Sequence, residues 1–101
     1  MTIDDLRRRI DQLDEKLVEL LTERANCALQ IGKLKHDLAL EVYQPDREAQ
    51  VLHHVQSHGE LTGSPLGGEA IARVFERIID EARRIERATV SGESTGKVED
   101  R

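Results

Sequence analysis

A chain of 101 residues with 35% charged side chains, one cysteine, and Tyr43 and Phe75 as its aromatics has room for one small domain. Strands draw on β-branched and aromatic residues, which are sparse here beside Leu, Glu, Arg and Ala, so an all-α fold is expected. A formal net charge of −5 excludes a general nucleic-acid or membrane-surface binder, and any anion site has to be a local cluster of cations.

The first predicted helix opens after Thr2, a suitable N-cap, with Asp4 and Asp5 in the first turn where carboxylates meet the positive end of the helix dipole. It is expected to run to about Ala39. Along it Ile3, Leu6, Ile10, Leu13, Leu17, Leu20, Arg24, Cys27, Ile31, Leu34 and Leu38 fill heptad positions a and d, and Arg24 alone breaks the apolar stripe. Arginine stays charged, so on a buried seam it needs an anion, either a protein carboxylate or a ligand. Cys27 reads as a small buried hydrophobe with no intrachain disulfide partner. Residues 3 to 38 span roughly 54 Å at the helical rise, whereas a compact monomer of this length is about 30–35 Å across. A seam that outruns its own domain is most simply buried by a second copy, which predicts an obligate homodimer.

Gln44-Pro45-Asp46 marks the second, short helix, with Pro45 at its first position. It is expected to end near Ser57, with Gly59 as the stop and Glu60 to Gly68 as a loop. Ile71, Val74, Phe75, Ile78, Ile79, Ala82 and Ile85 recur at spacings of three and four and predict a third helix of intermediate length over about 69–88. Residues 1–90 then form the helical domain, and the polar stretch 91–101 reads as a disordered tail. His53 and His54 are adjacent on a helix, diverge, and read as solvated; no Cys/His spacing suggests a metal. No uncharged apolar run approaches membrane-spanning length, and Met-Thr-Ile-Asp-Asp is unlike a signal peptide, so a cytoplasmic protein is expected.

Arg7 and Lys35 both fall on heptad position e, and Arg24 and Lys35, eleven residues apart, share one face at about 16 Å. A small dianion can span them. Arg7 lies about 42 Å from Lys35 along the axis, too far to share that ligand within one chain. Antiparallel pairing of two first helices about a two-fold near residue 18 would bring Arg7 of one copy between Arg24 and Lys35 of the other, giving two sites built from both chains. The plainer reading of Arg7 and Lys35 is a solvated flank beside Arg8, Arg9 and Lys33; Arg24 resists it. On the third helix Glu86 extends the apolar face, where it frays into water, pairs with a cation or keeps its proton. Glu48, in the first turn of the second helix, has a helix-dipole explanation that needs no function.

Leu6-Arg7, Leu13-Asp14-Glu15-Lys16-Leu17, Glu23-Arg24, Ile31-Gly32-Lys33-Leu34-Lys35 and Pro45-Asp46-Arg47-Glu48 together resemble the all-helical chorismate mutases over roughly residues 3–88. The resemblance implies an intertwined homodimer of three-helix chains that converts chorismate to prephenate in phenylalanine and tyrosine biosynthesis. It makes Arg7 of the partner subunit and Arg24 the ligands of the substrate's two carboxylates, and Lys35 a contact of a carboxylate and the ether oxygen. It gives Glu48 the hydrogen bond of the ring hydroxyl and Arg47 a supporting place in the site wall. Glu86 takes the position whose side chain, usually glutamine, donates to the ether oxygen. Gln44 and Ala82 depart from the family, standing where an aspartate often lies near the ring hydroxyl and a serine often meets a carboxylate.

A Claisen rearrangement breaks one C–O and forms one C–C bond in a single intramolecular step, so the resemblance implies no metal and no cofactor. An isochorismate-pyruvate lyase or an amino-chorismate mutase would share the fold, and a non-catalytic helical dimerisation or regulatory module is the bland alternative. Arg47-Glu48 favours the mutase over the lyase, neutral Gln44 disfavours an amino substrate, and Arg24 on the seam disfavours a purely structural role. Association with, or fusion to, another shikimate-pathway enzyme is left open.

Overall fold

The computed structural model describes residues 1–90, so the reading of 91–101 as a tail lies outside the described residues. Within them the chain forms three helices, α1 (Ile3–Asp37), α2 (Pro45–Leu61) and α3 (Gly68–Val90), and no strand.

Helix α1 starts in a reciprocal capping box: the Asp5 amide donates to the Thr2 hydroxyl oxygen at 3.1 Å, and the Thr2 amide donates to the Asp5 carboxylate at 3.0 Å. These bonds hold the Asp5 carboxyl below its ordinary pKa. The helix ends two residues earlier than expected. Ala39 turns left-handed at φ 56°, and the Leu40 amide closes back on the Lys35 carbonyl at 2.8 Å, so the chain reverses there.

Helix α2 corrects a sequence expectation. Gly59 does not stop the helix, which continues to Leu61; the turn is made by Gly63 at φ 67°. Gly59 is buried because α3 passes over it: a Cβ there would lie 2.2 Å from the Ile71 Cδ1. Its small size serves packing, and one glycine costs a helix only about 1 kcal/mol.

Helix α3 packs against both α1 and α2, which do not pack on each other among the described residues. At the α1–α3 crossing the helices meet backbone to backbone, since a Cβ on Gly32 would stand 3.0 Å from the Glu86 Cα. The resulting body is 52 × 37 × 15 Å, little more than one helix thick in its shortest direction. Ala28 and Ile79 are the buried apolar residues, while Ile3, Leu6, Ile10, Leu13, Leu17, Leu20, Ile31, Leu34 and Leu38 all stay exposed along α1. Cys27, expected to be buried, is exposed as well, because the described residues give the seam it sits on no cover. No helix among the described residues is long and apolar enough to cross a membrane.

Candidate active site

A cleft of about 440 Å³ opens where the C-terminal half of α1, the 38–44 connection, the first turns of α2 and the last turns of α3 converge. Helical periodicity decides what α1 contributes: Arg24, Ala28, Ile31 and Lys35 follow at spacings of four, three and four, and all line the cleft. Gln44 stands at the N-cap of α2 without using its side chain as a cap, and Arg47 and Glu48 follow on the first turn. From α3 come Ile79, Ala82, Arg83 and Glu86, again on one stripe.

Lys35 is the best-buried charge, at 9% exposure. Its ammonium donates to Glu86 Oε1 at 2.7 Å and to the Val42 carbonyl at 2.9 Å. The reversal at Ala39 lets the 38–44 connection fold back and present that carbonyl. One side chain thereby joins α1, the connection and α3. An ammonium carries three donors, so the third remains for a ligand. Glu86 therefore neither frays nor stands alone: it pairs with a cation where Gly32 lets the α3 backbone come close to α1.

The second ion pair, Glu48–Arg83, crosses from α2 to α3. Arg83 Nη2 donates to Glu48 Oε1 at 2.8 Å and Nε donates to Oε2 at 3.1 Å, a two-pronged arrangement that fixes the carboxylate plane. The same guanidinium lies 5.3 Å from the Tyr43 ring centroid and has Asp80 at 3.4 Å. Hydrogen bonding to Glu48 raises the Arg83 pKa above its ordinary value. Glu48 thus has a tertiary partner beyond the helix-dipole explanation.

Of the residues singled out by sequence, Arg24, Lys35, Gln44, Arg47, Glu48, Ala82 and Glu86 line this one cleft. Arg7 does not: it is exposed on α1, seventeen residues before Arg24 and therefore about 25 Å away along the axis. Arg24 is half-buried and makes no ion pair among the described residues, so its charge stays available. Sequence reasoning missed Arg83, which sits in the run Arg83-Arg84 and looks like a solvated flank. The available signal was its place four residues after Ile79 on the apolar face. His53 and His54 are exposed, and no group of three or more possible metal ligands occurs among the described residues. Four cations face two carboxylates in the cleft, leaving a formal surplus of two positive charges. That balance suits a small dianion.

Comparison with known proteins agrees in extent with the helical region. The chain is 42% identical over 86 residues to a bifunctional chorismate mutase/prephenate dehydratase of Pseudomonas aeruginosa, covering 80% of this chain and 23% of that protein. It is 41% identical over 90 residues to the protein of the same name from Neisseria gonorrhoeae, covering 85% and 24%. Against the T-protein of Haemophilus influenzae it is 34% identical over 80 residues, covering 79% and 21%. The chain thus spans less than a quarter of the length of these relatives. The family model described as chorismate mutase type II matches residues 6–87, most of the described structure, and the chain belongs to that family.

Proposed function

We propose that the chain is a chorismate mutase, rearranging chorismate to prephenate in a site shared between two copies. The observation that carries this reading is the cleft with Arg24 unpaired, Lys35 holding a donor in reserve and two positive charges in surplus, in a chain of the chorismate mutase type II family. Arg24 and Arg7 of the partner subunit clamp the two carboxylates, which holds the flexible enolpyruvyl arm over the ring and removes much of the entropic barrier. As the C–O bond lengthens, charge grows on the ether oxygen. The third Lys35 donor and a protonated Glu86 meet that charge, stabilising the transition state more than the ground state.

At the other end of the cleft Glu48 accepts the hydrogen bond of the ring hydroxyl, with Gln44 beside it and Arg47 in the wall. Ala82 leaves space where a hydroxyl would otherwise contact a carboxylate. The reading includes a cytoplasmic location. It also includes association with, or fusion to, an enzyme that acts on the product, because the relatives' names join a chorismate mutase to prephenate dehydratase.

Purified protein mixed with chorismate, and separately with isochorismate, tests the activity. Prephenate from chorismate is expected. Release of pyruvate from isochorismate as the dominant reaction would point to the lyase, and inertness toward both would overturn the enzymatic reading.

A further inference from the structure

Arg83 stands in the cleft with the Nε–Nη2 edge of its guanidinium committed to Glu48. Nε and Nη2 grip both oxygens of Glu48, Nη1 faces Asp80 at 3.4 Å, and the Tyr43 ring lies 5.3 Å from the guanidinium. Of its five N–H donors the fork uses two, so the edge that faces Glu48 is closed to a ligand while the fork holds. Glu48, by contrast, keeps acceptor capacity, because a carboxylate offers about four lone-pair positions and the fork occupies one on each oxygen.

From this geometry, and resting on the chorismate mutase reading, we propose that Arg83 is a positioning and specificity-determining residue: its fork orients Glu48 as an ionised acceptor whose charge is already neutralised, so the ring end of the cleft takes a neutral hydroxyl and refuses an ammonium. Three features act together. The two-pronged contact fixes the plane of the carboxylate, so its free lone pairs point in one direction. The guanidinium cancels the charge that would otherwise attract a cationic ring substituent, and Arg47 adds a second cation next to Glu48 in sequence. Gln44, the remaining polar group at that end, is uncharged and restores no attraction. Arg83 acts through Glu48 without touching substrate.

The test compares chorismate with the analogue carrying an ammonium in place of the ring hydroxyl, for wild type, Arg83→Met and Arg83→Lys. Met keeps the apolar stem and removes both fork and charge. For Arg83→Met, kcat/KM on chorismate is expected to fall about tenfold, the worth of one charge-assisted hydrogen bond, and the preference for hydroxyl over ammonium to narrow by a similar factor. Arg83→Lys keeps the charge without the fork, so it should preserve the preference while losing several-fold in kcat. A double-variant cycle with Glu48→Gln, read on the binding of prephenate so that no turnover is needed, should find that Arg83→Met adds little once Glu48 is changed. An unchanged preference in Arg83→Met, or fully additive binding losses, would overturn the proposal. If Arg83→Met does not fold, Arg83→Lys decides, and wild-type kcat in that variant would overturn the role of the fork. A wild-type protein inert toward chorismate would instead remove the parent reading, and this one with it.

Discussion

Glu86 and Lys35 form the most buried ion pair among the described residues, and their chemistry sets the clearest expectation at the level of single residues. In the free cleft the Glu86 carboxylate accepts from Lys35. To serve the ether oxygen it has to donate, and a carboxyl donates only while it carries a proton. An amide nitrogen donates without that requirement. Glu86→Gln should therefore raise kcat, because the amide oxygen still accepts from Lys35 while the amide nitrogen donates to the ether oxygen. Glu86→Ala should be poor throughout and also less stable, since stripping one member from a buried pair leaves the Lys35 charge uncompensated, at a cost of about 3–5 kcal/mol. Equal kcat for wild type and Glu86→Gln would mean that Glu86 does not reach the ether oxygen. As a break in an apolar stripe Glu86 was legible in the sequence, which left fraying, pairing with a cation and a retained proton all open. Arg83 was not, because its partner Glu48 lies thirty-five residues away and no local pattern records such a pairing.

Among the elements, the glycines divide into those that turn the chain and those that let helices touch. Gly63 turns it, as punctuation in the sequence suggested. Gly59 and Gly32 lie inside helices, and their purpose depends on which helix passes over them, information that composition does not hold. The periodic apolar residues located three helices and their starts to within a residue, but each helix ends two to four residues from its expected place, and register between helices is a tertiary property. The two buried glycines should behave differently. An alanine at position 59 meets only the tip of Ile71, which can rotate away, whereas at position 32 it meets the Glu86 backbone. Gly32→Ala is therefore expected to be net destabilising, with overpacking of about 1–3 kcal/mol outweighing a helix-propensity gain of up to about 1 kcal/mol. It should also lower kcat by shifting Glu86 against Lys35. Urea melts and steady-state kinetics of both variants check this, and equal behaviour at the two positions would contradict it. Ala39 offers the opposite case. Its left-handed φ of 56° suits glycine, so Ala39→Gly should raise stability, by up to about 1 kcal/mol, without altering the cleft.

For the whole molecule the decisive facts are thickness and exposed apolar length. A radius of gyration of 16.6 Å exceeds the roughly 13 Å of a compact domain of this size, and the a and d residues along α1 face outward. A second copy laid antiparallel along that seam would cover it, so melting is expected to depend on concentration, the midpoint rising as dimer is favoured. A folded monomer at micromolar concentration with a dilution-independent midpoint would defeat the idea. The same pairing decides where Arg7 acts. Arg7 lies about 25 Å from Arg24 within its own chain, so it can serve only a site to which another copy contributes Arg24 and Lys35. Arg7→Ala and Arg24→Ala should each cost a factor of about 10²–10³ in kcat, as removal of a positioned charge from a water-poor site does. Mixing the two inactive proteins under conditions that exchange subunits separates action in trans from action in cis. Each heterodimer then holds one site carrying both changes and one carrying neither. With random exchange at equal amounts, half the dimers are mixed and half of their sites intact, so activity should return to about a quarter of the wild-type level. Recovery that tracks heterodimer formation, followed by mass spectrometry of the intact assemblies, would place Arg7 across the interface; demonstrated exchange without recovery would remove Arg7 from the site.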